Sequence, residues 1–315
     1  MPLLTVRHRT TYAYREKVML APHRLMLRPR EGRELKLLTH DLSTAPNAEI
    51  IWSTDVLGNA VATASFERLS NCLTIESVAE VEVTAPSWPI YNITTGSAGY
   101  PFRYSAEEWT DLGALTAPAH VDRAGRLHAW AQSFVAGPST DTLSLLQDLN
   151  AGVFSGISYQ SREDEGTQAP LETLDRTWGS CRDLAVLFIE AARCLGFGAR
   201  LVSGYMWNGE RSVGSTDRGS THAWAEVYLP GAGWVPFDPT NCKMGGQNLI
   251  PVATGRNIGQ IMPVMGSFVG ASDAFFSMQV DVEVTSGSAL GGRNLEPTSS
   301  ICSARTGEPF VGLRS

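Results

Sequence analysis

The chain has 315 residues and a formal net charge of −7 at pH 7, with 43% hydrophobic and 18% charged residues. This length leaves room for a sizeable core and a second module, and the composition is typical of a folded globular protein rather than a disordered or fibrous one. The acidic balance, without a sustained Lys/Arg cluster, argues against nucleic acid or an anionic membrane as a partner.

The N-terminal residues and the cysteines bear on the cellular compartment. Arg7, His8 and Arg9 lie where a secretion signal needs an apolar stretch, and no apolar run approaches the length of a membrane span. The five cysteines are odd in number and lack the paired spacing of a zinc site or a disulfide scaffold. We therefore expect a cytoplasmic protein with reduced thiols, no membrane segment, no metal and no cofactor. Homo-oligomerisation is left open.

Residues 3 to about 85 alternate in the manner of strands. The stretches "LTVRHRTTYAY", "EIIWSTDVLGNAVATASF" and "NCLTIESVAEVEVT" are rich in β-branched and aromatic residues, with Asp, Gly and Asn turn signals between them. Residues 84–101 are rich in Pro, Gly, Ser and Thr, which is typical of a connection between modules. The pattern predicts an all-β, sandwich-like domain over residues 1–100.

Helical patterns begin beyond this connection. "DRAGRLHAWAQSFVAG", "DTLSLLQDLNAGVF" and "CRDLAVLFIEAARC" carry apolar residues three and four positions apart, and strand patterns return in "ARLVSGYMW", "THAWAEVYL", "GWVPFDPT" and "FFSMQVDVEV". These patterns predict an α+β domain over residues 101–285. The composition of residues 286–315 predicts an extended tail.

Two cysteines lie thirteen positions apart on one predicted helix. Ser180 and Asp183 have the spacing of a capping box, which places Cys181 at the first helical position. Unpaired backbone N–H groups and the positive end of the helix dipole favour a thiolate there. Cys194 lies near the other end, before the expected C-cap Gly196, and is predicted to be an inert core thiol.

A histidine and an aspartate follow on two predicted strands. His222 opens an alternating strand, "LPGAG" forms a turn, and the returning strand ends at Asp238. A turn centred on residue 230 brings the two side chains together, whereas one centred on Gly231 is expected to need a bulge. Each residue alone is more often structural. Combined with Cys181 at a helix start, however, they predict a cysteine-dependent active site, because a thiolate nucleophile normally works with a histidine that a third group orients.

Three blocks occur in a fixed order: "GSCRD" with its long helix and "ARLVSGY", then "HAWAE", then "WVPFDPT". Together with "LTVRHRTTYAYREKVMLAPHRLMLRPRE" and "DVLGNAVATASFE" near the N-terminus, they resemble the bacterial transglutaminase-like superfamily, which includes cysteine proteases. The resemblance implies a papain-like α+β core, with a cysteine-bearing helix packed on an antiparallel sheet. It makes Cys181 the nucleophile, His222 the general base and acid, and Asp238 the residue that orients His222.

The implied reaction is acyl transfer from a peptide or isopeptide amide to Cys181. The developing oxyanion needs donors, and the backbone N–H of Cys181 is the natural first one. Trp178, Tyr159 or another nearby side chain is expected to supply the second. The rings of Trp178, Trp224 and Trp234 either shape a substrate channel or simply pack in the core.

Three alternatives to a cysteine hydrolase stay open. Transfer of the acyl group to a lysine or polyamine gives a protein-glutamine transamidase, and hydrolysis is favoured because a stand-alone cytoplasmic cross-linking enzyme is harmful. A peptide-binding or scaffold protein that keeps the fold without catalysis is a second alternative. A zinc hydrolase that uses the same three side chains as ligands is a third, although the usual zinc-binding spacings are missing.

Two further positions need comment. Where the family is expected to carry a segment like Gly-Arg-Asp-Tyr, this chain has "GRNIGQ", with Asn257 and Ile258 in place of the acid and the aromatic ring. The expected consequence concerns substrate recognition or local structure rather than the chemical step. Cys242 lies four residues after Asp238 but follows a turn and has no helix start, so we expect it to be a bystander.

Overall fold

The computed structural model describes residues 2–162, 166–207 and 220–287. The α-helices are α1 (Ala106–Leu112), α2 (Arg126–Gln132), α3 (Thr142–Gly156), α4 (Pro170–Arg176) and α5 (Cys181–Cys194), and 3-10 helices cover Thr95–Ser97, Gly113–Thr116 and Ile258–Gln260. The strands of the first part are β1 (Leu3–Leu20), β2 (His23–Leu25), β3 (Leu35–Ala45), β4 (Glu49–Thr54), β5 (Ala60–Ser65) and β6 (Ser70–Val83). The remaining strands are β7 (Gly99–Tyr100), β8 (Thr140–Asp141), β9 (Ser158–Tyr159), β10 (Trp178–Gly179), β11 (Ala199–Met206), β12 (Ser220–Leu229), β13 (Gly233–Asp238), β14 (Lys243–Met244), β15 (Leu249–Gly255), β16 (Val264–Met265), β17 (Phe268–Val269) and β18 (Phe275–Ser286). None of the described helices has both the length and the apolar character needed to cross a membrane.

The N-terminal part consists of two packed sheets. One runs β3-β6-β1, with β18 and β17 also pairing with β1, and the other runs β4-β5-β2-β16. Inward-facing residues of both sheets, such as Tyr14, Leu25, Ala62 and Ile75, share one buried cluster, as the alternating pattern predicts.

The chain returns to this part at its far end. β18 pairs with β1 in antiparallel fashion from Leu4 opposite Ser286 to Tyr14 opposite Phe275. The N-terminal sheets thus contain strands from after the α+β part. The boundaries at residues 100 and 285 stay predictions, and the predicted tail lies outside the described residues beyond Gly287.

Helix α5 lies at the centre of the second part. An antiparallel sheet in the order β14-β13-β12-β11-β15 packs against it on one side, and α2, α3 and α4 contact it on the other. Leu184, Phe188 and Ala191 are fully buried, and the ring of Phe188 stacks on Phe237 with 5.2 Å between centroids. The helical spacing of these apolar residues therefore builds the core that holds the start of α5 against β12. The α+β class is confirmed.

A continuous interface joins the two parts. Leu4, Val6 and Val284 of the N-terminal sheet share a buried cluster with Tyr205 and Ile250 of the second sheet. Two polar contacts also cross the interface. The Tyr205 hydroxyl lies 3.1 Å from Nδ1 of His8, and the Asn59 side chain exchanges two 2.8 Å hydrogen bonds with the backbone of Thr254.

Candidate active site

Helix α5 begins at Cys181, as the capping pattern predicts. Oδ2 of Asp183 accepts hydrogen bonds from the backbone N–H and the hydroxyl of Ser180, both at 2.8 Å. The thiol therefore lies at the positive end of a fourteen-residue helix, where the dipole favours a negative charge. Its side chain is partly exposed.

The strand pairing that brings His222 and Asp238 together differs from the expected one. Ala225 lies opposite Phe237 and Leu229 opposite Gly233, so the turn is centred on Gly231 and not on residue 230. The expected bulge is not needed, because the β12–β13 register runs without a shift. If this register is continued by one residue, Asp238 and His222 become diagonal neighbours on the same face of the sheet. At that separation an imidazole ring and a carboxylate can reach each other.

The three predicted residues form a continuous hydrogen-bonded chain. His222 Nε2 lies 2.9 Å from Oδ2 of Asp238, and the His222 side chain also bonds to the thiol of Cys181. Because Nε2 is taken by Asp238, the thiol bonds at Nδ1. The backbone N–H of Ala223 donates a further hydrogen bond to the Cys181 sulfur. His222 and Asp238 are buried.

The Asp238 carboxylate is held by two donors that the sequence did not reveal. Oδ1 accepts from the backbone N–H of Thr240 at 3.0 Å, and Oδ2 accepts from Nδ2 of Asn241 at 2.7 Å. Asn241 directly follows the "WVPFDPT" stretch, and its spacing of three residues from Asp238 within a turn is the only sequence signal for this contact.

The environment shifts the pKa values of all three groups. Burial raises the pKa of the Cys181 thiol, but the hydrogen bond and charge of His222, the Ala223 N–H and the charge of Arg182 outweigh it, so the net shift is downward. Burial lowers the pKa of His222, but its bonds to Asp238 and Cys181 raise it to about 9. Burial opposes ionisation of Asp238, whereas its donors hold its pKa below the usual value. Both shifts favour the thiolate–imidazolium form of the pair over its neutral form.

Two predicted oxyanion or channel residues lie beside the nucleophile. β9 pairs with β10 in parallel fashion, which places Tyr159 opposite Gly179, two residues before Cys181. Tyr159 is 55% exposed, whereas Trp178 is half-buried with the Arg176 guanidinium 5.5 Å from its ring centroid. Trp178 is thus close to the thiol along the chain and Tyr159 through the β9–β10 pairing, and the choice of second oxyanion donor stays a prediction.

The other two tryptophans lie elsewhere. Trp224 is only 1% exposed, and its ring stacks on that of His222 with 6.1 Å between centroids. It therefore lies behind the imidazole, where it packs with Val202 and Leu249, rather than on an open channel wall. Trp234 lies near the β12–β13 turn under the guanidinium of Arg200, 4.0 Å from the ring centroid.

The remaining singled-out positions lie apart from this chain of bonds. Cys194 ends α5 within the core, and burial together with the charges of Glu190 and Asp122 raises its pKa to about 11. Cys242 is exposed and follows Asn241 with a backbone φ of 51°. Asn257 caps the 3-10 helix that begins at Ile258. Within the described ranges, no three His, Cys, Asp or Glu side chains are grouped so as to hold a metal ion.

Comparison with known proteins identifies the family. Residues 128–239 match the model of the transglutaminase-like superfamily, and residues 4–82 match that of the bacterial transglutaminase-like N-terminal region. The chain belongs to the transglutaminase-like superfamily. All three residues of the hydrogen-bonded chain fall inside the matched transglutaminase-like core.

Individual relatives of this transglutaminase-like chain extend over nearly its whole length. An uncharacterised protein of Mycobacterium tuberculosis H37Rv is 29% identical over 306 residues, covering 90% of this chain and 94% of that protein. One of Mycobacterium leprae is 24% identical over 291 residues, covering 90% and 98%. A crystal structure from Cytophaga hutchinsonii, described as a candidate cysteine protease, superposes with a TM-score of 0.69 at 17% identity, covering 94% and 93%. At that identity the superposition shows a common fold.

Proposed function

We propose that this transglutaminase-like protein is a cysteine hydrolase that cleaves a peptide or isopeptide amide through a Cys181-His222-Asp238 triad. The observation that supports the proposal is the continuous hydrogen-bonded chain from the partly exposed thiol through a buried imidazole to a buried carboxylate. Thiol, base and orienting group in this order are the arrangement that nucleophilic catalysis requires.

In the proposed reaction each residue of the triad has its own step. The Cys181 thiolate attacks the amide carbonyl, and the backbone N–H of Cys181 at the start of α5 donates to the oxyanion that forms. The imidazolium of His222 donates its Nδ1 proton to the leaving amine, which departs and leaves a thioester on Cys181. Neutral His222 then takes a proton from water, which attacks the thioester and releases the acid. Asp238 keeps Nε2 protonated and the ring in place throughout.

Exposure of the nucleophile favours water as the acyl acceptor. Cys181 is partly exposed and Tyr159 beside it is more than half exposed, so bulk water reaches a thioester formed there. An enzyme that transfers the acyl group to an amine needs instead to keep water away from this intermediate. We accordingly place hydrolysis ahead of transamidation. The cytoplasmic location and the oligomeric state stay predictions.

A thiol-directed peptide probe tests the proposal. We expect stoichiometric labelling of the wild-type protein, loss of labelling in Cys181→Ala, and full labelling in Cys194→Ala. Absence of labelling at Cys181 in folded protein across about pH 6 to 9 contradicts the proposed nucleophile. It favours the non-catalytic scaffold alternative.

A second measurement separates hydrolysis from transamidation. Peptides carrying glutamine and isopeptide amides are incubated with the protein, with and without a primary amine, and the products are identified by mass spectrometry. Free acid as the main product in both conditions supports the hydrolase. An amine adduct that replaces the acid in proportion to the amine added supports the transamidase. Cys181→Ala is the control for both products.

A further inference from the structure

One buried carboxylate beside the nucleophile has more donors than a helix cap requires. Asp183 is fully buried, and besides the two bonds from Ser180 it accepts from the backbone N–H of Gln168 at 2.7 Å. The guanidinium of Arg162 adds two more bonds, Nε at 3.2 Å and Nη2 at 3.0 Å. A capping box accounts only for the contacts with Ser180, so three of the five donors come from another segment of the chain.

That segment is fastened on both sides of Cys181. Before the nucleophile, the Gln160 N–H donates to the Gly179 carbonyl at 2.9 Å. After it, Nη2 of Arg182 donates to the Arg162 carbonyl at 3.1 Å. Arg162 thus binds Asp183 with its side chain and Arg182 with its backbone. Gly179 leaves space for the Asp183 side chain, because a Cβ at position 179 would lie 2.8 Å from Cβ of Asp183.

The charges of the Arg162–Asp183 ion pair matter because the pair lies close to the nucleophile. Its carboxylate is within 2.8 Å of the backbone N–H of Ser180, the residue that precedes the nucleophile. A lone negative charge there opposes a thiolate on Cys181, and a lone positive charge favours it. The Arg162–Asp183 pair, whose side chains are 12% and 0% exposed, presents neither.

Other charged and titratable groups approach the thiol from each neighbouring element. Arg182 belongs to α5 itself, His222 to β12, Asp238 behind it to β13, and Tyr159 to β9. Burial raises the pKa of Asp183, but its donors outweigh burial and hold that pKa below the usual value; the bonds from Gln168 and Ser180 do not depend on the arginine.

We infer that Arg162 and Asp183 are positioning residues of the nucleophile: their buried ion pair fastens the 158–162 segment to the start of α5 and cancels the charge that either residue alone would place beside the Cys181 thiolate. This inference rests on the proposed function. It adds two residues that touch neither substrate nor the reacting atoms and act through the helix start that carries the thiol.

The test is the pH profile of Cys181 alkylation by iodoacetamide, read by mass spectrometry of the Cys181 peptide. Arg162→Met is expected to move the acid limb to higher pH and to slow alkylation about tenfold below its midpoint. Asp183→Asn is expected to move the limb to lower pH. The double variant, which has neither charge, is expected to return close to the wild-type midpoint, and Arg162→Lys to stay close to it.

Matched controls come from an exposed ion pair of the same type. Arg126→Met and Asp175→Asn break a surface pair on α2 and α4 and are expected to leave the profile unchanged. Alkylation of the exposed Cys242 in the same samples reports reagent reactivity. Thermal unfolding of each variant shows whether it is folded, and Asp183→Asn compared with the double variant carries the test if Arg162→Met is not.

The outcomes separate the inference from the proposed function. Shifts of opposite sign that cancel in the double variant support the ion pair as a charge-balanced positioning element. Slower alkylation in both single variants without opposite shifts, and a double variant worse than either, overturns it in favour of a structural role. Wild-type protein whose Cys181 shows no thiolate reactivity contradicts the proposed function itself, whatever the variants do.

Discussion

The two ends of helix α5 carry the same side chain in opposite environments. At the first position, the helix dipole, His222, the Ala223 N–H and Arg182 all favour the thiolate, and the pKa of Cys181 is lowered although burial opposes this. At the last position, burial and two carboxylates raise the pKa of Cys194 to about 11. The comparison teaches that the groups around a cysteine, and not its exposure, set the direction of its pKa shift, since both thiols are partly buried.

The largest expected effect comes from removing each thiol in turn. Cys181→Ala is expected to lower amide hydrolysis by at least about a thousandfold, because the nucleophile is lost and only binding and oxyanion stabilisation are left. Cys194→Ala is expected to retain wild-type kcat and KM. Steady-state kinetics on one peptide substrate checks both. Equal losses of activity in the two variants would contradict the difference between Cys181 and Cys194.

The next largest effect concerns Asp238, the carboxylate that bonds to His222 at the Cys181 end of α5. Asp238→Asn removes the charge that raises the pKa of His222, so that pKa falls from about 9 toward the ordinary value for histidine. As pH rises, His222 of the variant then loses its proton at a lower pH than in the wild type. The alkaline limb of kcat/KM therefore moves down from about 9.

The expected loss of kcat for Asp238→Asn is about a hundredfold to ten-thousandfold, as for other orienting carboxylates. Asp175→Asn, a change of the same kind in an exposed residue of α4, is the matched control and is expected to keep the wild-type profile. An alkaline limb that stays near 9 in Asp238→Asn would show that another group sets it.

Much of this comparison is readable from the sequence. The capping pattern at Ser180 and the apolar spacing of Leu184 and Phe188 predict where α5 begins and which face it buries, because both are local and periodic. The strands that carry His222 and Asp238 are predicted for the same reason. The expected turn centre at residue 230 is one residue too early, which shifts the cross-strand pairing by two residues; His222 and Asp238 still meet because diagonal neighbours are sufficient for contact.

What the sequence does not reveal depends on contacts between distant segments. Arg162 reaches Asp183 across 21 residues, and β18 pairs with β1 although some 270 residues separate them, and no local periodicity encodes either contact. Trp224 shows the same limit, since strand alternation indicates its face but not that His222 covers it. The assigned roles of Cys181, His222 and Asp238 stay predictions until the kinetics are measured.

A smaller effect is expected at the Cys194 end of α5. Cys194→Ala removes a partly buried sulfur from the main core, and we expect it to lower the free energy of unfolding by about 1 kcal/mol. Denaturant titration measures this loss, and the Cys181 alkylation profile of the same variant is expected to be unchanged. A shift of that profile would mean that the two ends of the helix are coupled.

The smallest effect belongs to Arg182, whose charge is the last of the causes that lower the pKa of Cys181. Arg182→Gln is expected to move the acid limb of alkylation to slightly higher pH and to slow the reaction by about threefold below the midpoint, because His222 still supplies most of the stabilisation. Arg193→Gln does not serve as a control, because Arg193 is buried in an ion pair with Glu190, whereas Arg126→Gln changes an exposed pair. If the acid limb moves as far in Arg182→Gln as in a His222 variant, the start of the helix and not the imidazolium is the main source of thiolate stabilisation.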